Sequence, residues 1–486
     1  MISMPIAELA TVIAGRLQLP ADGQSSVTAG PLGPVITEVT TDTRDLGDGG
    51  ASTVFVALRG STHDGHAFVP AAVDRNVAAV VVDHDGRASL DSPELLAATA
   101  VIEVDDTTVA LQQLARHVRS VVGPHAIAVT GSVGKTTVKD LTAASLATKY
   151  QTHASAASFN NEFGVPLTLL GMTRGVQALV AEIGARHPGD IAAMADLVQP
   201  DVAIVTAVEA VHLELFGSIE AIAATKQELV DSLGPDGTAV LNVDNPLVAS
   251  MAPAAPATIR VGLATDADVT AGSVKFDASG HACVQVRSPW GSTALRLPLP
   301  GRHQVINGLL AIAAAGRFEV PIDDAAAAIE SATVSRWRGQ IYHRGQRTVI
   351  DDAYNANPAS MRAALDTLAL IAHGRPTIAV LGEMAEIGPT AWSEHIALGE
   401  YCATRGVSTV VAVGSRALGI ADGARAGGVD AVVACDDVEC AVQWIEAQGS
   451  SAHVILVKGS RVAGLDAVVT QLIETDGDVM AQGPAA

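Results

Sequence analysis

Large rings are nearly absent from this chain of 486 residues: aromatic side chains make up only 3% of it. A core built on Phe, Tyr and Trp is excluded, so Ala, Val, Leu and Ile must fill the interior. An apolar content of 49% is ample for that. Cysteine is sparse too. Cys283, Cys402, Cys435 and Cys440 show no CxxC or Cys/His spacing, which argues against zinc and against a disulfide framework. Positive charge is short: 30 Lys and Arg stand against 52 Asp and Glu, a net charge of −22. That balance suits neither nucleic acid nor an anionic membrane bound by general electrostatics, although local sites built from backbone dipoles can still take phosphate. No uninterrupted apolar run reaches transmembrane length, and Met1 to Pro5 lacks the basic and apolar regions of a secretory signal. A soluble chain in a reducing cytoplasm follows as the expectation, with no membrane insertion and a length that fits roughly two to four domains.

What is present is concentrated in His125-Ala-Ile-Ala-Val-Thr-Gly-Ser-Val-Gly-Lys-Thr-Thr137. An apolar run suited to a buried strand meets a Gly-rich turn, then Lys135 and Thr136, then a helical pattern. Backbone N–H groups of such a turn point at a polyphosphate, Lys135 adds a point charge, and a Thr hydroxyl reaches Mg²⁺. Gly131, Ser132, Val133, Gly134, Lys135, Thr136 and Thr137 are therefore candidate ATP-binding residues. Only Ser132 and Val133 separate Gly131 from Gly134. The general P-loop has a longer spacing, so this turn belongs to a narrower type.

Strands and helices alternate around it. Thr53–Leu58 and Ala78–Asp83 read as strands and Val109–Val122 as an amphipathic helix, with Gly123-Pro124 as punctuation before the loop. Ala178–Ile183, Val202–Thr206 and Thr238–Asn242 read as strands and Ile219–Leu233 as a helix. That alternation implies a parallel sheet covered on both faces. Val269–Phe276, Ala282–Arg287 and Thr293–Leu299 look like antiparallel strands appended to that sheet, followed by a small-residue helix over Asn307–Phe318. From near Ser335, Thr348–Asp351, Ile378–Gly382, Thr409–Gly414 and Val454–Lys458 recur at βα spacing, and a polar, frayed tail follows Thr475. The expected fold class is α/β in three domains with boundaries at 1–122, 123–334 and 335–486.

Several residues read both ways when taken singly. Asn160 and Asn161, before a helix start, suit a capped turn as well as a ligand site. Glu182 ends an apolar strand, where open α/β domains bind ligands and where a solvated carboxylate is equally at home. His212 follows another strand, and Lys226 sits on the helix after it, where a solvated lysine is the plain reading.

Their order along the chain is more telling. The loop Thr130–Thr136, the paired Asn, Glu182, His212 and Lys226 together resemble the central domain of the Mur ligases. Asp351-Asp-Ala-Tyr-Asn-Ala-Asn-Pro-Ala-Ser-Met361 resembles the third-domain motif of the branch that adds D-alanyl-D-alanine. Leu381-Gly-Glu-Met-Ala-Glu-Ile-Gly388 and Leu456-Val-Lys-Gly-Ser-Arg461 point the same way, and Thr41-Asp-Thr-Arg44 with Gly60–His66 resembles the UDP-sugar domain. There are departures. Thr43 stands where Ser is usual, Ala157-Ser158 where Gly-Asn is usual, and Ser335-Arg-Trp-Arg-Gly339 where many relatives have Pro-Gly-Arg. Arg336 and Arg338 both remain open for that last Arg, with Arg338 preferred.

The resemblance implies a small N-terminal UDP-binding domain, a central P-loop-like ATP domain and a C-terminal Rossmann-like domain. It implies that ATP activates the carboxylate of UDP-N-acetylmuramoyl-tripeptide as an acyl phosphate for attack by D-alanyl-D-alanine. Lys135, Glu182, His212 and Lys226 would be catalytic. Mg²⁺ would be held by Thr136, Glu182, His212 and, if carbamylated by CO₂, Lys226. His303, Asn307, Arg338 and Asp352 would join the loop in binding ATP. Thr43, Arg44, Asp64, Gly65, His66, Asn160, Asn161, Tyr354, Asn355, Asn357, Lys458 and Arg461 would bind substrates. The enzyme would act as a monomer. Alternatives are another Mur ligase, a folylpolyglutamate synthase-like ligase, or a nucleotide switch without ligase activity.

Overall fold

The computed structural model describes residues 1–20, 33–46, 50–60, 63–88, 99–156, 158–448, 453–474 and 480–481. Ser61 and Thr62 of the UDP-sugar motif, Ala157, and most of the segment beyond Thr475 lie outside the described residues. The chain forms two compact units: Met1–Ala128, Tyr150–Gly184 and Asp190–Asp201 make the first, and Val129–Lys149, Ala185–Gly189 and Val202–Ala486 the second.

The first unit holds a five-stranded sheet of β1 (Arg16–Gln18), β2 (Glu38–Thr40), β3 (Thr53–Val56), β4 (Ala79–Asp83) and β5 (Ala100–Val104) in the order β1-β5-β4-β3-β2. Only β1 runs antiparallel to its neighbour. Phe55, Val80, Val82 and Val101 are buried on one face with Val69 and Ala72. Helix α1 (Thr107–Val122) starts at Asp106, whose carboxylate accepts from Thr108 N and Val109 N, and stops at Gly123 with φ 62. An N-cap carboxylate and a left-handed glycine are the usual signals for those two ends.

Strand β6 (His125–Thr130) begins in this unit and ends in the second, where residues 131–134 turn into α2 (Lys135–Ala147). The first unit also carries β7 (Thr152–Ala154), α3 (Gly164–Leu170) and β8 (Ala178–Glu182). With β9 (Val202–Val205), β10 (Thr238–Asn242) and β11 (Thr258–Val261), these strands form a six-stranded sheet in the order β11-β10-β9-β6-β8-β7. Pairs β7–β8, β9–β10 and β10–β11 are parallel. Strands β8, β9 and β10 are buried along their whole length. That is why they read as continuous apolar runs rather than as alternation. Helix α4 (Ile219–Asp231) follows β9.

The segment after β11 departs from expectation. Thr270–Ala271 (β12), Lys275–Phe276 (β13), His281–Ser288 (β14) and Gly291–Pro300 (β15) form a separate four-stranded antiparallel sheet and are not appended to the central one. Buried and exposed residues alternate along β14, the mark of a sheet with one wet face, unlike the fully buried central strands. The expected strand Val269–Phe276 is broken in two around Gly272.

Helix α5 (Gln304–Arg317) leads to a seven-stranded sheet. Its members are β16 (Gln340–Arg344), β17 (Arg347–Asp351), β18 (Thr377–Leu381), β19 (Thr409–Val413), β20 (Ala431–Cys435), β21 (Val454–Lys458) and β22 (Met480–Ala481), in the order β20-β19-β18-β21-β17-β16-β22. The five strands from β20 to β17 are parallel, and β16 and β22 pair antiparallel at the end. The hairpin strand β16 was missed, because Gln340-Ile-Tyr-His-Arg344 is half-buried and lacks an apolar run. Strand β22 stands where a frayed tail was expected. Helices α6 (Pro358–Ala372), α7 (Ala391–Thr404) and α8 (Leu418–Gly427) also lie in this part. Helices α7 and α8 touch backbone to backbone: a Cβ on Gly399 would lie 2.1 Å from Ile420 O, and one on Gly423 2.0 Å from Ile396 O.

Candidate active site

The glycine turn is held open by its surroundings. Gly131 has φ 147, and a Cβ there would fall 1.9 Å from Thr206 Oγ1; Gly134 has φ 84 and faces Asn307 Oδ1 at 2.7 Å. Neither position admits a side chain, which explains both glycines. Thr206 Oγ1 donates to Val133 O at 2.5 Å, and Ser132 N donates to Ala207 O at 2.8 Å. Ser132 Oγ donates to Glu209 O and accepts from Glu209 N. The turn thus rests on the segment after β9, and its N–H groups lead into the start of α2, where the helix dipole favours an anion.

Basic side chains gather there. Lys135 Nζ donates to Gly131 O at 2.7 Å. Lys226 is only 5% exposed. Burial first, and the Lys135 charge second, push its amine down to about 7. A helical lysine that read as solvated is therefore a buried one whose neutral form is accessible near neutral pH. His212 takes a left-handed backbone, φ 53, and its Nδ1 is hydrogen-bonded to the Glu386 carboxylate. Burial lowers the pKa of His212, Glu386 raises it, and Lys135 and Lys226 lower it again. Thr136 is buried, and its hydroxyl accepts from Arg338 Nη2 at 3.1 Å. Arg338 also lies over the Tyr354 ring, 3.9 Å from its centroid. Tyr354 in turn stacks on Trp337, which Arg461 covers at 4.6 Å.

The residues after β17 form a second cluster. Lys458 is buried; its Nζ pairs with Asp352 Oδ2 at 2.7 Å and donates to Asn355 O at 2.9 Å. Asp351 is 2% exposed, and burial, with Asp352 and Asp466 nearby, pushes its carboxyl up to about 7. Asn357 caps α6, its Oδ1 accepting from Ser360 N at 2.9 Å. Gln304 donates to His303 Nε2, and Asn307 Nδ2 donates to Gln304 Oε1.

Other candidates lie in the first unit. Glu182 is 1% exposed; Asn160 Nδ2 donates to its Oε1 at 2.7 Å, while Oε2 has no hydrogen-bond partner. A buried carboxylate oxygen left unpaired is costly and calls for a ligand or an ion. Asn161 Oδ1 accepts from Gly164 N at the start of α3, so the two adjacent amides have different tasks. In the five-stranded part, Asp64 accepts from His66 N, and His66 is buried against Asp83 N. Arg59 pairs with Asp64 and Asp83. Thr43, half-buried, and Arg44, exposed, lie in a single turn, with Arg44 paired to Asp42 at 2.5 Å.

Three family models match the chain: Mur ligase family, catalytic domain, over residues 35–119; Mur ligase middle domain over 129–315; and Mur ligase, glutamate ligase domain, over 337–461. A protein of Mycobacterium tuberculosis (strain ATCC 25618 / H37Rv), named UDP-N-acetylmuramoyl-tripeptide–D-alanyl-D-alanine ligase, is 37% identical over 98% of this chain and 99% of its own. The chain belongs to the Mur ligase family. A Bacillus subtilis (strain 168) protein of the same name is 33% identical over 98% of this chain and 99% of its own. Among solved structures, MurF from Acinetobacter baumannii matches with a TM-score of 0.82 at 29% identity, covering 96% of this chain and 98% of that one. The expected α/β class and the N-terminal, middle and C-terminal architecture of Mur ligases are borne out.

In this Mur ligase the sequence reading passed over Thr206 and Glu209, which hold the turn at Val133 and Ser132, and Glu386, which engages His212 and in turn pairs with Arg186. Glu386 lies inside Leu381–Gly388, a motif noted only for its likeness to the branch that adds D-alanyl-D-alanine. Among the described residues no group of three His, Cys, Asp or Glu side chains could hold a metal.

Proposed function

We propose that this chain joins D-alanyl-D-alanine to UDP-N-acetylmuramoyl-tripeptide at the expense of ATP, with ADP and phosphate as the other products. The observation that carries the reading is the glycine turn that runs into α2, with the Lys135 amine folded onto Gly131 O, in a chain whose full-length relatives bear that ligase's name. We place the three domains at 1–122, 123–334 and 335–486.

A tripeptide carboxylate is a poor electrophile at neutral pH, and its acyl phosphate is a good one. Phosphoryl transfer needs positioned charge more than covalent help. Lys135 leaves Gly131 O for the β- and γ-phosphates. Arg338, anchored on Thr136 and Tyr354, neutralises charge at the same end. The dipeptide amine attacks the acyl phosphate, and phosphate leaves. Asp352, Asn355 and Lys458 orient the nucleotide or the incoming dipeptide. Thr43, Arg44 and Asp64 to His66 bind the UDP moiety.

The side chains present suit Mg²⁺, a hard cation that takes oxygen ligands and keeps phosphates and waters around it. Thr136 offers a hydroxyl, Glu182 an unpartnered buried oxygen, His212 an imidazole nitrogen, and Lys226, once carbamylated, a carboxylate. When bound, Mg²⁺ supplies neutralisation of the phosphate charge. Among the described residues no helix is long and apolar enough to cross a membrane; we place the reaction in the cytoplasm and the enzyme as a monomer.

The test is phosphate release by the purified chain with ATP and Mg²⁺. Release should require both the UDP-tripeptide and D-alanyl-D-alanine. ATP hydrolysis independent of both would favour a nucleotide switch, and release with glutamate and a folate a folylpolyglutamate synthase. Running UDP-tripeptides that end in diaminopimelate and in lysine side by side identifies the acceptor.

A further inference from the structure

The motif Leu381–Gly388 has no task in the reaction described so far, yet one of its side chains reaches His212. One oxygen of the Glu386 carboxylate is hydrogen-bonded to His212 Nδ1, and Arg186 holds the other at 2.5 Å. Both His212 (φ 53) and Glu386 (φ 62) adopt the left-handed backbone that residues with a Cβ rarely use. Such conformations persist where the surroundings over-determine them, and they cluster at functional sites. Here the surroundings are specific. Met384 N donates to buried His395 Nε2 at 2.9 Å, Ala385 N to Ser460 Oγ at 2.9 Å, and Ser460 N to Glu383 O at 2.9 Å. Beyond Glu386, Gly388 (φ 68) comes so near the turn after His212 that a Cβ on it would lie 3.3 Å from Glu214 N. The loop is therefore fixed to the seven-stranded sheet on one side and lies against the His212 turn on the other.

We infer that Glu386 is the positioning residue for His212. Its carboxylate accepts a hydrogen bond from Nδ1–H, fixes the tautomer, and leaves the Nε2 lone pair for the metal that accompanies the nucleotide. This rests on the proposed metal role of His212. An imidazole ligand that gives its other N–H to a carboxylate is better oriented and more basic. A simple docking ion pair is the weaker account, because the Arg186 side chain is 66% exposed and exposed pairs contribute little. The consequence is a link between two events: the histidine is aimed only when the loop after β18 is seated.

The experiment uses the full chain and Mn²⁺ as a spectroscopic substitute for Mg²⁺. Mn²⁺ affinity is measured by electron paramagnetic resonance with a non-hydrolysable ATP analogue, so no turnover is needed. Glu386→Gln should weaken Mn²⁺ binding at least about tenfold, the usual loss for an outer carboxylate. Glu386→Asp should weaken it less, and circular dichroism melts verify that each variant folds. Arg186→Gln should stay within about twofold of wild type, as expected for an exposed pair. His212→Gln/Glu386→Gln should bind no more weakly than His212→Gln alone, since the two residues act as one unit. Wild-type affinity in both Glu386 variants, an equal loss in Arg186→Gln, or additive losses in the double variant would overturn the assignment. An unchanged affinity in His212→Gln would instead overturn the metal role of His212 itself, and with it the inference.

Discussion

Replacing Lys226 by Met should make the protein more stable and inactive. Met keeps the length and apolar stem of lysine and removes the amine. The amine is pushed down from 10.5 to about 7, chiefly by burial and secondly by Lys135. Displacement over that range corresponds to roughly 5 kcal/mol, and relaxation around a buried group reduces the realised effect to a few kcal/mol. The sign follows from proton counts. Between about pH 7 and 10.5 the unfolded chain binds a proton at this position that the folded chain does not, so wild-type stability rises with pH across that window. Below about pH 7 both states are protonated and the whole penalty is present. Lys226→Met has no such penalty. It should exceed wild type by a few kcal/mol at pH 7, and its advantage should shrink toward pH 10 by up to about 1.4 kcal/mol per pH unit. Urea unfolding of both proteins in CO₂-free buffer at pH 7, 8 and 9.5 measures this, with ligation assayed in parallel. Equal stability at pH 7, or a gap that does not change with pH, would refute the buried-amine account. Retained ligation would refute the catalytic role independently.

Three further variants probe other parts of the molecule. Lys135→Ala should abolish phosphate release with an unchanged melting curve, and near wild-type turnover would reject the glycine-turn assignment. Asp351→Asn addresses a carboxyl pushed up from 3.8 to about 7, mainly by burial. From pH 3.8 to about 7 the folded chain binds the extra proton and stability falls as pH rises, so the variant should be more stable than wild type at pH 8 and indistinguishable at pH 3.5; a gap of equal size at both would exclude this origin. Arg44→Ala removes an exposed guanidinium from the proposed UDP site and should raise the KM for UDP-tripeptide about tenfold with little change in kcat, as losing a charge-assisted hydrogen bond implies; an unchanged KM would remove Arg44 from that site.

The legible parts of the fold are those where one physical signal dominates. Strands β8, β9, β10, β18 and β21 are buried on both faces, so their apolar runs stand out. The glycine turn is legible because positive φ and the close approach of Thr206 Oγ1 and Asn307 Oδ1 leave room for no side chain at positions 131 and 134. Strand β16 was hidden because its residues are half-buried and polar. Lys226 was ambiguous for a deeper reason: a buried and a solvated lysine look the same on a helix until the packing around them is known. Glu386 was invisible because its partner lies 174 residues away and its backbone is left-handed without being glycine. No local pattern encodes either property.

The crossing of α7 and α8 bears on the chemistry from a distance. Where Gly399 meets Ile420 and Gly423 meets Ile396, main chain rests on main chain, and no rotamer stands between them to absorb a displacement. Side-chain packing yields gradually, whereas a backbone stop is hard. His395 lies one turn before Gly399 on α7, and its ring fixes Met384 N, two residues before Glu386. A single methyl group at position 399 or 423 would force the helices apart and move that anchor. Alanine at either glycine would then move Glu386 and the His212 ring bonded to it, making this helix crossing a datum from which the position of His212 is set.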